Sequence, residues 1–484
     1  MSKLKRKIRD GIKKDINSLL QSLLIDSSDD ELIRNSVADI SILLEKESLL
    51  TEDKKKLSRK IGTARAQGED TTQLIAGVSE ISGKIKQLEV ELDQQVAQIQ
   101  ACITGASSGA DANKHCQSDV EKIDIPAHLL AVDQALDCKV DQLELACEPT
   151  IDITEWQKFV ASQAHANVYH DARWHRLIKD NFGHTPHYIT CRKPDGSLCG
   201  VLPMVHLNSK LFGSFLVSMP YFNYGGPLTE YPDVAQKMME FAAQTGNSLE
   251  CTHLESRDTR LREPWLCKQH KITMILPLPD SDEELDRQLG TKVRAQVKRA
   301  AREDLKFVIG GAELLPEFYR VFSHNMRDLG TPVYSRKFFA SILENFNEQA
   351  SLTIVRHAGK PVAAGFLLGF NDKLEIPWAS SLRKANPLGA NMFMYRQILR
   401  SAIERDYRFF DFGRSSKGAS TYKYKKQWGA VEHPLFWHYW LRDSDELPAL
   451  NPDNPKYKLA ISAWQKLPVA VANTIGPSLV RNLP

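Results

Sequence analysis

The stretch that decides the fold is Phe409–Leu435, FFDFGRSSKGASTYKYKKQWGAVEHPL. It opens on an apolar run, Phe409 to Phe412, broken only by Asp411, and so reads as a strand. Asp411 and Arg414 bracket Gly413 where that strand ends. Strand ends leading into loops are where α/β folds place polar site groups. Tyr422, Lys423, Tyr424 and Lys425 then alternate, a pattern that predicts either a charged strand edge or a segment with selected lysines turned to a ligand.

Working outward, 390–407 (ANMFMYRQILRSAIERDY) predicts a helix and 374–381 (LEIPWASS) a strand. The run 352–371 predicts a hairpin turning at Gly359-Lys360. Helices are expected over 314–330, 335–347 and 282–304, with a strand at 307–311. The same order occurs upstream: helices at 153–163 and 172–183, then a hairpin over 187–207 around Pro194-Asp195-Gly196, a turn-forming sequence. We read two copies of one α/β unit, 150–275 and 276–442, followed by a proline-punctuated tail, 443–484.

The first 149 residues differ. Residues 1–25 predict a basic amphipathic helix, suited to a solvated packed face, to an anionic membrane or to RNA. Residues 26–102 predict an antiparallel helical coiled-coil hairpin. Leu74, Val78, Ile81, Ile85, Leu88 and Leu92 alternate steps of four and three. Ile33, Val37, Ile40, Leu44, Leu57, Ile61 and Ala64 supply the facing seam, with Gly68 at the turn. Residues 103–149 predict a linker and short helices, with 118–148 helical.

Composition bounds the function. Lys plus Arg number 63 and Asp plus Glu 60, so no global charge forces a nucleic-acid partner. The eight cysteines include no C-x-x-C, which argues against a disulfide framework or a zinc site. No metal site is expected. No apolar run reaches 18 residues and no secretory signal is recognisable. A cytoplasmic protein is expected, either free or in peripheral contact with the inner membrane face. H-E-x-x-H, G-x-S-x-G and G-x-x-x-x-G-K-[ST] are all absent. His433 and His438 sit in strand-like aromatic sequence and read as packed rather than catalytic.

The segments 182–205, 218–228 (SMPYFNYGGPL), 292–300 (KVRAQVKRA), 329–339 (LGTPVYSRKFF) and 409–435 together resemble the FemAB-related family. They are most similar to its PEP-CTERM/exosortase- and exopolysaccharide-associated branch, with BioF2-like, GNAT-type acyltransferase units. Separately, 55–92 resembles the tRNA-binding arm of seryl-tRNA synthetases. The first resemblance implies a duplicated GNAT fold. It also implies transfer of an acyl or aminoacyl group from a donor, aminoacyl-tRNA or acyl-CoA, to an amine. In the FemAB ligases that amine belongs to a peptidoglycan precursor; here an envelope or exopolysaccharide acceptor is implied. No bound cofactor is expected beyond that co-substrate.

Attack of an amine on an ester or thioester creates a tetrahedral oxyanion, which needs a positioned cation or N–H groups. The resemblance aligns the family's aromatic-Lys pair with Tyr424-Lys425. It gives Lys425 the oxyanion or the charged end of the donor. Asp411 is the candidate to orient the amine or take its proton, or else a loop cap paired with Arg414. Tyr334 and Arg336 are aligned acceptor-side candidates. Tyr221, Asn223 and Tyr224 flank paired glycines suited to close backbone approach to a ligand. Arg294 and Lys298 share a helical face with Arg302, either for phosphates or for solvent. Gly389, Ala390 and Asn391 occupy the place of a pyrophosphate cradle at a helix start, with Asn391 as the expected N-cap. A competing reading is a non-catalytic scaffold working through the coiled coil; an open cleft lined by Lys425, Asp411 and Tyr334 would favour the enzyme, a filled one the scaffold.

Overall fold

A computed structural model of the chain describes residues 134–147, 151–209, 212–443, 447 and 455–483, with scattered helical positions between 40 and 96. Contacts divide the chain into two units, 1–117 and 118–484. In the first, Ile40, Leu43, Leu44, Leu92 and Val96 are buried. Gly77 lies so close to Leu57 that a Cβ there would stand 2.8 Å from Leu57 Cδ2. The expected helix over 1–25, most of 26–102 and the linker over 103–133 lie outside the described residues.

The first strand described in the second unit is β1 (Glu144–Cys147), where a helix was expected. Four residues pair antiparallel with the next strand and this edge position overrides local helix propensity. Next come α1 (Ile153–Ser162), α2 (Arg173–Phe182), β2 (Thr185–Arg192), β3 (Leu198–Ser209), β4 (Gly213–Ser218), α3 (Pro232–Ser248), β5 (His253–Asp258) and β6 (Leu266–Pro277). Two connecting helices follow, α4 (Asp282–Gln288) and α5 (Thr291–Ala300). The single helix expected over 282–304 is split at Leu289-Gly290, where α4 caps in extended geometry. The second series is β7 (Leu305–Gly310), α6 (Leu315–Leu329), α7 (Arg336–Asn345), β8 (Ala350–His357), β9 (Lys360–Phe370), β10 (Lys373–Ser381), α8 (Ala390–Glu404) and β11 (Phe409–Ser415). A short helix, α9 (Ser420–Lys426), precedes β12 (Val431–Leu441), and α10 (Pro455–Gln465) and α11 (Val469–Val480) end the chain.

Element boundaries follow from local chemistry. Asp152 caps α1 by accepting from the Thr154 and Glu155 amides, and Ser335 caps α7 through the Phe338 amide. Pro316 enters α6 in its first turn, and Gly330 ends it in the left-handed region.

The twelve strands of the described residues form one sheet, ordered β1-β2-β3-β4-β5-β12-β6-β11-β10-β9-β8-β7. The two series, β1 to β6 and β7 to β12, have the same element order except for α9, which has no counterpart between β5 and β6, and each lays its first five strands side by side from an outer edge inward. Their last strands are exchanged. β12 lies between β5 and β6, and β6 lies between β11 and β12. The result is a mixed α/β fold of duplicated units that share one sheet. One face carries α1, α2, α6 and α7 over a core containing Trp156, Trp174, Phe318 and Phe339. The other carries α3 over the first series, and α8 with α4 and α5 over the second.

Candidate functional site

The parallel pair β10 and β11 is in register at Lys373–Phe409, Leu374–Phe410 and Glu375–Asp411, and there the pairing stops. β10 shifts register against β9 between Glu375 and Trp378. β11 shifts against β6 between Asp411 and Arg414. Gly413, with φ of 74°, supplies the left-handed residue this break needs. The strands therefore part beyond Glu375 and Asp411. Into the gap opens a cleft of about 550 Å³ lined by Asn223, Ile376, Asn391, Gly413, Arg414, Tyr424 and Lys425 among others.

Lys425 is one of two cations that line this cleft, with Arg414. It stands on α9, a helix where the Tyr/Lys alternation also allowed a strand edge. Four residues of alternation, Tyr422 to Lys425, do not discriminate the two periods. Burial of Tyr424 and Trp428, four apart, against the core beneath α8 selects the helical one. Lys425 turns inward and is buried, while Lys423 and Lys426 are exposed. Its Nζ donates to the carbonyls of Gly413 (2.8 Å) and Arg414 (2.9 Å). An ammonium has three donors, so one remains for a ligand oxygen. Burial draws the Lys425 pKa down to about 8; the charge of Arg414 acts the same way and that of Asp411 opposes it.

Asp411 is fully buried and does not line the cleft. Sealed off from the cleft, it does not face a ligand there; of the alternative role the loop cap holds, through the Gly413 amide, but without a pair to Arg414. Its Oδ1 accepts from the Thr273 hydroxyl (2.6 Å) and the Gly413 amide (2.7 Å), and its Oδ2 from the Tyr224 hydroxyl (2.6 Å). It holds the strand break, and through it the carbonyls that seat Lys425. Beside it is Glu375, also buried. The Tyr169 hydroxyl donates to Glu375 Oε1 (2.8 Å), and Asn223 Nδ2 reaches the same oxygen (3.3 Å). Burial pushes the Glu375 carboxyl up to about 8, and the neighbouring Asp411 adds to this, partly offset by Lys373. One proton among two buried carboxyls removes one of two uncompensated charges.

The remaining candidates divide. Asn223 and Arg414 line the cleft. The Arg414 guanidinium also stands 5.3 Å from the centre of the Trp437 ring. Tyr224 is buried in the acid cluster rather than exposed. Tyr221 faces away: its hydroxyl donates to the Arg481 carbonyl (2.7 Å) and its ring stacks on Phe182 at 4.3 Å. Tyr334 is part of the aromatic core around Phe338 and Trp378, and neither it nor the exposed Arg336 lines the cleft. Arg294 and Lys298 line a separate groove of about 380 Å³ with Arg396 and Arg400. Asn391 is not the N-cap. Gly389 holds that position in left-handed geometry, and Asn391, one residue inside α8, borders the cleft with its Oδ1 unpartnered. Ala390 is buried, and Gly389 borders an adjoining pocket of about 250 Å³ that shares Tyr424 with the cleft.

The glycine pair after Tyr224 serves the protein, not a ligand. A Cβ at Gly226 would stand 3.0 Å from the Arg257 carbonyl oxygen and 3.2 Å from Asp258 Cα. This is the counterpart gap of the first series, where β4 and β5 part after Val217–Glu255. It is filled: Arg257, 1 % exposed, donates to the Phe222 carbonyl, and its amide is held by Ser218 Oγ. Of the groups missed in the sequence, Glu375 had a signal, a lone acid in an apolar strand. Tyr169 and Thr273 had none. Among the described residues no cluster of His, Cys, Asp or Glu could hold a metal ion, and no helix is long and apolar enough to cross a membrane.

Residues 287–426 match the acetyltransferase (GNAT) domain family. No curated protein matches the sequence. Among solved structures, FemX is 14 % identical, with 66 % of this chain and 100 % of that one covered and a TM-score of 0.48. L-PGS from Bacillus licheniformis is 13 % identical, covering 67 % and 100 %, with a TM-score of 0.42. A tandem GNAT protein from the clavulanic acid biosynthesis pathway is 11 % identical, covering 63 % and 100 %, at 0.40. The segment that supplies the named cleft residues other than Asn223 thus lies within a stretch similar to a GNAT acetyltransferase domain, from the end of α4 to Lys426 at the end of α9.

Proposed function

We propose that the protein is an acyl- or aminoacyltransferase that works in the cleft of its second series, while the filled first series acts as scaffold. The observation that carries this reading is the convergence of Lys425, Arg414, Asn391 and Asn223, from four separate segments, on one open cleft where β10 and β11 part. In the reaction the nitrogen of a neutral amine attacks the donor carbonyl carbon. The C–O bond of an aminoacyl ester, or the C–S bond of a thioester, then breaks. The alcohol or thiol leaves with the proton that the amine gives up. Lys425, an ammonium below its pKa near 8, offers its free N–H to the oxyanion.

The acceptor is an amine of an envelope or exopolysaccharide precursor, and the donor aminoacyl-tRNA or acyl-CoA. Reaction in the cytoplasm, at the inner membrane face for a membrane-bound precursor, belongs to the same reading. The pocket at Gly389 and the groove at Arg294 and Lys298 are the places for the donor's phosphates. Purified protein incubated separately with labelled aminoacyl-tRNA and labelled acyl-CoA, plus a cell extract of acceptors, tests this. Transfer of label from one pool, lost in Lys425→Ala, is the expected result. No transfer from either pool would return the second series to the scaffold reading, in which the N-terminal hairpin supplies the binding surface.

A further inference from the structure

The cleft lies beyond the carboxyl ends of the paired part of β10 and β11. A second recess, of about 210 Å³, lies at their amino ends. Three cationic side chains reach it from separate segments: Arg260 after β5, Lys373 at the start of β10 and Arg408 just before β11. One acid, Asp372, accompanies them. His165 adds no charge, because burial and the neighbouring Arg260 draw its pKa down to about 4, and it stands 3.0 Å from Arg260 Nη2 as that group's acceptor. Among the described residues neither Lys373 nor Arg408 forms an ion pair with a carboxylate. Lys373 instead lies over the Tyr224 ring, 5.2 Å from its centre, with Nζ 3.4 Å from the hydroxyl.

We propose that this recess binds a small phosphate-type anion, inorganic phosphate or a compact phosphate monoester, at a site separate from the cleft. Two guanidiniums and an ammonium from three directions suit an anion with several oxygens. A carboxylate offers two oxygens in one plane and meets only part of the set. The volume, about 210 Å³, holds a phosphate group with a short substituent. The recess does not open on the transfer cleft: Tyr224, bonded to Asp411, and the Glu375 pair stand between them. An anion that draws Lys373 from the Tyr224 hydroxyl would therefore act on the acid pair that seats the cleft. The proposal does not depend on the transferase reading.

Full-length protein titrated calorimetrically at low ionic strength with inorganic phosphate, glycerol 3-phosphate and acetate tests it. Saturable binding of either phosphate species, at least about tenfold tighter than acetate, is expected. Arg408→Gln, an exposed position whose variant should fold normally, should weaken binding by about tenfold, as should Arg260→Gln. Lys425→Ala should leave it unchanged. Failure of both phosphate probes to saturate would overturn the proposal. So would binding that survives Arg408→Gln and Arg260→Gln but falls in Lys425→Ala or Arg294→Ala, which would place the anion in the cleft or the α5 groove. Vesicles containing phosphatidic acid form a further arm; binding to them with no response to the soluble phosphates would reject a small ligand in favour of a membrane surface.

Discussion

Lys425 and Lys423 differ by two positions on one short helix and by their entire environment. The first is buried with its Nζ on two backbone carbonyls, the second is exposed. Lys425→Ala should therefore lower turnover by roughly 10²–10³-fold, or roughly 3–4 kcal/mol of barrier, as loss of one preorganised oxyanion partner does. Lys423→Ala should change it by less than about threefold on the same argument, since an exposed side chain has no preorganised geometry to lose. Steady-state rates with unchanged circular dichroism check both; equal losses would remove Lys425 from its role. Glu375 makes a different statement. Its carboxyl lies at about 8 rather than 4.5, so the folded protein keeps a proton that the unfolded chain releases. Its contribution to stability is complete below about pH 4.5 and is lost as pH rises through about 8. His165, His170 and His438, drawn down to about 4, act in the opposite sense as pH falls below 6.5. Those histidines are common to wild type and Glu375→Gln, so the difference between the two proteins isolates the glutamate. Wild type should lose stability relative to Glu375→Gln between pH 5 and 8 in urea titrations; a constant difference across that window would show that the carboxyl is ionised throughout.

The two parallel strand pairs make the contrast between the series at the level of elements. β4 and β5 part as β10 and β11 do, yet Arg257 and residues 219–226 close the first gap while the second stays open. Gly226 is the tight point of that closure, with backbone atoms of Arg257 and Asp258 where a side chain would begin. Gly226→Ala should destabilise the protein by about 1–3 kcal/mol, the usual cost of forcing atoms into a packed site. The shift in thermal midpoint reads this. An unchanged midpoint would mean that the loop is loosely packed and the first gap can open. The element hardest to read was α9. Tyr422 to Lys425 alternates as a strand would, and only the core beneath Tyr424 and Trp428 makes the helical period the one that buries them.

Exchange of the last strands governs the molecule from β1 to β12. β12 pairs with β5 over Phe436–Leu441 and with β6 over Val431–Tyr439, so the second series completes the first. Likewise β6 pairs with β11 at Asp411 and Arg414, on either side of the strand break. Neither series retains its own inner neighbour when expressed alone, and each would expose an unpaired central edge. Fragments ending near 300 and starting near 301 should aggregate singly and recover solubility when co-expressed. Residues 118–484 should unfold in one transition. Two resolved transitions, or a soluble monomeric first fragment, would show that the exchange is not required for folding.

The elements and their order were legible in the sequence because they depend on local information. The hairpins at Pro194-Asp195-Gly196 and Gly359-Lys360, and the period of the helices over 314–330 and 390–407, could be read residue by residue, and their repetition exposed the duplication. Lys425, Arg414 and Asn223 could be singled out, but not brought together. Tertiary structure alone decided that Tyr169 and Thr273 belong to the acid cluster, that Tyr221 and Tyr334 turn away from the cleft, and that Asp411 is sealed beneath it. Hydrogen bonds such as Tyr169 to Glu375 join residues 206 positions apart, and no local pattern encodes a partner at that distance. The strand exchange is of the same kind. Both the exchanged and the unexchanged arrangement satisfy the same alternation along β6 and β12; the choice between them is made by which neighbouring edges the assembled sheet leaves to be paired.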